Sequence, residues 1–195
     1  MVFFPSACEL RPMVSETLEL LQQRALEKGL TFKLDIAKDV PQQVWVDGPR
    51  LCQVLRHLVD NAVKFTHTGS VSVRVTVESA DLERATLRFE ITDTGIGMTP
   101  EQAETVFETY RQAEKGTPRR FGGTGLGLAI AKHLVEAMGG RIAVRTAREF
   151  GGNLFHAAGK IEGGAVDQGV EQVGTAREFI GQRGRVGEDA HDHGE

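Results

Sequence analysis

The sequence predicts a mixed α/β domain, and three patterns carry that expectation. Apolar residues recur at helical spacing across residues 50–66. Strict alternation of apolar and polar residues marks strands at 31–36, 71–77 and 87–91. A glycine-rich stretch beginning at Gly95 then breaks the succession of helices and strands. The first two patterns reflect the 3.6 and 2.0 residue periods of helix and strand. The third is a long connection of the kind that is either functional or disordered.

Each element follows from local pattern. Phe3 and Phe4 read as a short edge strand. Residues 10–28 predict a helix with Val14, Thr17, Leu18, Leu21 and Ala25 on one face and Gly29 as its stop. Phe32, Leu34 and Ile36 alternate as a strand, and 41–48 is a connection carrying Val44 and Val46. The helix at 50–66 has Asp47 as N-cap and Pro49 in its first turn. Leu51, Leu55, Leu58, Ala62 and Phe65 form its apolar face, and Arg50, His57, Asn61 and Lys64 form a polar stripe beside it. Buried polar groups are costly without partners, so the stripe faces either water or a ligand. After a turn at Thr68 and Gly69, Val71, Val73, Val75 and Val77 pair as a hairpin with Leu87, Phe89 and Ile91. A helical piece at 100–107, a helix at 126–138 stopped by Gly139 and Gly140, and strands at 141–145 and 153–161 complete the list.

The 195 residues suffice for one domain with a substantial core and an appendage. Hydrophobic content of 40% and charged content of 26% are ordinary for a globular chain. A net charge of −4 gives no signature of nucleic-acid binding. Cys8 and Cys52 lack metal-ligand spacing, suggest no disulfide framework and fit a reducing compartment. No apolar run is long enough to cross a membrane, and the start lacks the basic and apolar regions of a signal peptide. From residue 162 the apolar density drops, which reads as a poorly ordered polar tail. His191 and His193 belong to that solvated end. The run Thr-Ala-Arg-Glu-Phe occurs at 146–150 and again at 175–179, but its flanks do not match.

Three segments carry chemistry. Asp93-Thr94-Gly95-Ile96-Gly97 puts a carboxylate at a strand end before two permissive glycines. That suits a pocket where backbone approaches a ligand closely and a carboxylate accepts from an exocyclic amine; a plain turn is the other reading. Gly122-Gly123-Thr124-Gly125-Leu126-Gly127-Leu128 runs into a helix, so bared N–H groups and the helix dipole make a phosphate cradle. It is neither a Walker loop nor a convincing dinucleotide fingerprint, and an ordinary glycine loop remains the alternative. Between the two lie Arg111, Lys115, Arg119 and Arg120, cations able to neutralise a phosphate or simply to be solvated.

Taken in order, these segments resemble a known family. Asp47, Arg50-Leu51, Gln53-Val54-Leu55 and Asn61-Ala62-Val63-Lys64-Phe65-Thr66, then Asp93-Thr94-Gly95-Ile96-Gly97-Met98, then Val106-Phe107-Glu108-Thr109-Tyr110, then Gly122 to Leu128, resemble the N, G1, F and G2 boxes of the catalytic ATP-binding domain of sensor histidine kinases. The resemblance covers residues 3–152. It implies a two-layer α/β sandwich of the Bergerat type, related to the gyrase and MutL ATPases, with a mixed sheet covered on one face by helices and an ATP lid. It places Asn61 on Mg²⁺ and the phosphates, Lys64 near phosphate and Asp93 on the adenine amine. Gly95 and Gly97 shape the adenine pocket, and Phe107 and Tyr110 anchor the lid. Gly123, Thr124, Gly125, Leu126 and Gly127 lie on the phosphate side, and Arg119 or Arg120 matches the basic position before those glycines.

The chain departs from the pattern in three places. His57 stands where the family commonly has its first N-box asparagine, and where the related ATPases have a water-activating glutamate. An imidazole is a poor Mg²⁺ ligand beside an oxygen donor, so the metal falls to Asn61. Without that glutamate, the chemistry fits phosphoryl transfer better than hydrolysis. Gly151-Gly152-Asn153-Leu154-Phe155 is a poor match to the family's turn into its last strand. None of His57, His67, His133, His156, His191 and His193 sits in a phosphoacceptor context.

The resulting expectations are specific. Residues 1–10 end a connector from a dimerisation domain, 11–161 form the catalytic domain and 162–195 the tail. The chain binds ATP and Mg²⁺ and passes the γ-phosphate to a histidine on a separate phosphoacceptor domain, in cis or in trans, with a response regulator downstream. It contacts neither nucleic acid nor membrane, is monomeric by itself and is cytoplasmic, with a membrane-anchored parent protein left open. The alternatives are a nucleotide-binding module without catalysis and a serine kinase of the same fold resembling anti-sigma factors.

Overall fold

The computed structural model describes residues 2–80, 84–108, 126–146 and 152–162. Helices lie on one face of a mixed sheet. The sheet runs β1 (Ser6–Glu9), β3 (Gln43–Val46), β7 (Asn153–Glu162), β5 (Arg84–Asp93), β4 (Ser70–Ala80) and β2 (Thr31–Ile36), with β6 (Arg141–Thr146) also paired to β7. Only β2 and β4 run parallel; the other pairs are antiparallel. The helices are α1 (Leu10–Glu27), α2 (Gly48–Phe65), α3 (Pro100–Thr105) and α4 (Gly127–Ala137). The two-layer sandwich that the resemblance implied is thus present.

Register explains which face is buried. Val73 pairs with Ile91, and Ile91 with Phe155, so apolar residues of three strands share one side. That side meets Leu10, Val14 and Leu18 of α1, Leu55 and Leu58 of α2, and Leu134 of α4, all at 1% exposure or less. Burying each such leucine is worth about 1.5–3 kcal/mol, so this contact dominates the fold. The opposite side is charged. Arg74 pairs with Asp35 at 3.2 Å, and Glu78 binds both Arg88 and Arg141. Exposed ion pairs contribute only about 0–1 kcal/mol each.

α2 is held at both ends. Asp47 caps it, with Oδ1 accepting from the Arg50 N–H at 3.2 Å and Oδ2 from the Phe4 N–H at 3.0 Å. At the other end Lys28 Nζ donates to the carbonyls of Val63 at 2.6 Å and Thr66 at 3.0 Å. A cation on the last carbonyls satisfies groups that the helix leaves open and complements its dipole. Buried Thr66 closes the turn, its hydroxyl donating to the Ala62 carbonyl at 2.7 Å.

Two expectations are corrected. The edge strand is Ser6–Glu9, not Phe3 and Phe4. The Phe4 side chain is 74% exposed, and its N–H is spent on Asp47. The stretch expected as a plain connection contains β3, antiparallel to β1. Each strand is four residues long, and neither buries enough side chains to show a clear alternation.

Candidate functional site

One end of the sheet gathers the chemistry-bearing residues. Asp93 ends β5 and is 3% exposed. Its Oδ1 accepts the Gly95 N–H at 2.8 Å, and its Oδ2 accepts from Asn153 Nδ2, at the start of β7, at 3.3 Å. Burial pushes this carboxyl above the usual aspartate range, and the Gly95 and Asn153 hydrogen bonds pull it partly back. The result is a desolvated acceptor with unused lone pairs at the base of a turn.

The turn after Asp93 lies directly on the end of α2. A Cβ on Gly95 would stand 2.4 Å from the Phe65 carbonyl oxygen, so only glycine permits the approach. The Ile96 N–H donates to that same carbonyl at 3.3 Å. Gly97 adopts a φ of +66°, in the region that glycine enters without strain. The turn is then tied to β6, where Thr146 Oγ1 accepts from the Met98 N–H at 3.1 Å and donates to the Met98 carbonyl at 2.9 Å. Beyond it, α3 starts with a capping box between Thr99 and Gln102. Phe107 packs its ring edge-on to Phe155 of β7, with centroids 6.4 Å apart. That contact fixes the chain on the core where residues 109–125 begin.

The polar stripe of α2 divides by position. Arg50 lies at the far end of the helix and donates to Gln53 at 3.2 Å. Asn61 and Lys64 lie in the last turns, beside the Phe65 carbonyl that receives the Asp93 turn. Both are half-buried, and Lys64 Nζ sits 4.9 Å from the Phe65 ring centre. Among the described residues, the Asn61 carboxamide makes no hydrogen bond. Its oxygen is a hard donor of the kind Mg²⁺ takes.

His57, one turn earlier, has a different surrounding. A Cβ on Gly127 would lie 3.2 Å from its Nδ1, so the first residue of α4 rests on the imidazole. Its Nε2 is buried and without a partner among the described residues. Burial, with Arg56 adding, holds its pKa below the ordinary histidine value, which keeps the ring neutral at pH 7. Because Leu126 is the N-cap residue of α4 and carries no polar side chain, the first N–H groups of α4 gain no cap from it. An uncapped helix N-terminus favours anions.

A separate cavity of about 350 Å³ lies at the other end of α2, among Trp45, Leu51, Val54, Phe89, Val135 and Met138. None of the expected site residues lines it. The sequence reading missed Asn153 and Thr146. The signal for Asn153 was available, because asparagine is depleted in strands and here opens one. Tyr110, Arg111, Lys115, Arg119, Arg120, Gly123, Thr124 and Gly125 lie outside the described residues, as do the expected lid and tail, with His191, His193 and the second copy of the pentapeptide.

The family described as "Histidine kinase-, DNA gyrase B-, and HSP90-like ATPase" matches residues 46–162, and the chain belongs to it. Within the family it is similar to the sensory/regulatory protein RpfC of Xanthomonas campestris, with 46% identity over 137 residues, covering 70% of this chain and 19% of RpfC. It is 38% identical over 148 residues to the signal transduction histidine-protein kinase BarA of Escherichia coli K12, covering 75% of this chain and 16% of BarA. Among solved structures, full-length ShkA in complex with AMPPNP superposes with a TM-score of 0.71 at 30% identity, covering 85% of this chain and 33% of that one. The chain therefore spans about a fifth or less of the length of these curated relatives. It is of the kind that forms the ATP-binding catalytic domain in sensor histidine kinases.

Proposed function

We propose that this chain binds Mg²⁺–ATP and presents the γ-phosphate to a histidine on a separate dimerisation and phosphoacceptor domain, in cis or in trans, from which a response regulator is then loaded. The observation that carries the reading is the buried Asp93 carboxylate at the start of a turn that packs on the last residue of α2, the helix that carries Asn61. Asp93 accepts the adenine amine. Gly95 and Gly97 let the backbone turn approach the base, and Phe107 is proposed as a lid anchor. Asn61 would hold the metal, whose charge would help neutralise the phosphates. Lys64 serves the phosphates, as do the N–H groups at Leu126 and Gly127, together with Gly123, Thr124 and Gly125. Arg119 and Arg120 are proposed as the cations that neutralise phosphate charge. His57 does not fit as a metal ligand, since one nitrogen is buried and the other faces α4.

Catalysis of this kind rests on positioning and charge neutralisation. The site belongs in a cytoplasmic, ATP-containing compartment; no described helix is long and apolar enough to cross a membrane. The test mixes the chain with Mg²⁺, γ-labelled ATP and a dimerisation–phosphoacceptor domain. The expected result is acid-labile, alkali-stable label on a histidine of that domain, absent for Asn61→Ala. No label across several acceptor domains, with ATP still bound, would leave a nucleotide-binding module without transfer. The unusual His57 motivates that second reading.

A further inference from the structure

We infer that Asn153 is a positioning residue for the Asp93 carboxylate, and through it selects a purine that carries an exocyclic amine over one that carries a carbonyl at the same position. The inference rests on the nucleotide-binding reading above.

The geometry is set by strand register. Thr92 of β5 pairs with Leu154 of β7, which brings Asp93 and Asn153 alongside each other at the strand ends. Asn153 is 7% exposed, a rare degree of burial for a carboxamide. Its orientation is dictated by chemistry. An ionised carboxylate has only acceptors, so the amide must offer Nδ2, as it does at 3.3 Å. The cost is visible on the other atom: Asn153 Oδ1 is buried and has no partner among the described residues. A fold that tolerates an orphaned carbonyl there retains the amide for the sake of the carboxylate.

What the amide does follows from the opposing influences on Asp93. Burial drives this carboxyl toward its protonated form, and hydrogen bonds from Gly95 and from the side chain and backbone of Asn153 oppose it. No charged group of the surrounding β5, β7, α2 or the 94–98 turn contributes among the described residues. Among the described residues, these hydrogen bonds are what oppose burial and favour Asp93 as an acceptor. As an acceptor it takes an amine N–H. Protonated, it donates as well, and a base with a carbonyl at that edge becomes acceptable. Asn153 is thus a determinant of base choice without touching the base.

The test has a ligand-free and a ligand-bound arm on the whole chain. The Asp93 carboxyl carbon is titrated by NMR in the wild type, in Asn153→Ala and in the near-isosteric Asn153→Leu, each checked for an intact amide spectrum. Both substitutions move the midpoint upward, and Asn153→Thr, which retains a donor, returns it toward the wild-type value. Calorimetry then compares ATP with inosine triphosphate, which has a carbonyl in place of the amine. The ATP preference narrows by roughly threefold or more in the amide-less variants, which corresponds to a ratio well resolved by titration. An unchanged midpoint in either folded amide-less variant overturns the inference, as does a shifted midpoint with an unchanged ATP preference. If the wild type binds neither nucleotide, the nucleotide reading fails, while the midpoint still decides whether Asn153 holds Asp93.

Discussion

Gly95→Ala tests whether the turn after β5 has to lie on the end of α2. The added Cβ would fall 2.4 Å from the Phe65 carbonyl oxygen and 2.9 Å from Asp93 Oδ1. Carbon–oxygen contacts settle near about 3.3 Å, so the turn must lift by about 0.9 Å. The Ile96 N–H bond to Phe65, already 3.3 Å long, is then lost, at about 1 kcal/mol. The Gly95 bond to the Asp93 carboxylate is strained too, and bonds to charged groups are worth about 1.5–3 kcal/mol. Overpacking alone costs about 1–3 kcal/mol, and these contributions overlap. The expected sum is about 3 kcal/mol, or roughly 6–12 °C in melting temperature for a chain of this size. Urea denaturation should show a lower midpoint with an unchanged slope. Calorimetry should show ATP affinity falling by about tenfold or more, since Asp93 loses one of the groups that orients it. An unchanged midpoint together with unchanged affinity would refute the reasoning. Lost stability with intact affinity would reduce Gly95 to a packing role.

Four further outcomes are expected. Lys28→Met leaves the carbonyls of Val63 and Thr66 without their cation and should cost about 2 kcal/mol by urea denaturation. Arg24→Ala, which breaks an exposed pair with Asp60, should stay within about 0.5 kcal/mol of wild type in the same assay. Asn61→Ala should abolish the Mg²⁺-dependent part of ATP binding, measured by calorimetry with and without the metal; equal affinity in both would remove Asn61 from the metal. Asp93→Asn should stabilise the free protein at pH 7. Because burial raises the folded-state pKa, Asp93 supports the fold while protonated and loses that support as pH rises through its titration, above the usual aspartate range. The amide avoids that loss, since Asn153 can turn its orphaned Oδ1 toward the new donor. Melts at pH 7 and pH 3 should differ in the wild type more than in the variant, and the variant should lose its preference for adenine.

The site was legible in parts, for reasons that differ by residue. α2 was readable because its apolar face is continuous and its cap is local: Asp47 and Arg50 are three residues apart. The β4–β5 hairpin was readable because valine alternation survives without knowledge of partners. Asp93 was singled out by its place between a strand and two glycines. Its burial, which gives it its chemistry, was not readable, since that depends on β7 arriving from sixty residues away. The tie from Lys28 to the end of α2 is equally non-local, spanning more than thirty residues. The short strands β1 and β3 escaped because four residues give too little periodicity. What the sequence hides here is pairing across distance; what it shows is each element's own face.

His57 illustrates how the structure changes the meaning of a residue that sequence reading singles out. The resemblance puts it where related ATPases carry a water-activating glutamate, and a histidine is an ordinary general base. Its environment argues against that role. Its Nε2 is buried without a partner, and its Nδ1 lies against the first residue of α4. The buried Nε2 is closed to a water in the site, and Nδ1 is directed toward the start of α4. Its lowered pKa agrees, because burial and the neighbouring Arg56 both disfavour the imidazolium. The positive end of a helix dipole, which the start of α4 supplies, acts in the same direction. A neutral ring in this place packs between α2 and the first residue of α4. Under the proposed reading, with Asn61 on the metal and the start of α4 on phosphate, a site without a water-activating base suits passing a phosphoryl group to an imidazole that arrives with its own nucleophilic nitrogen.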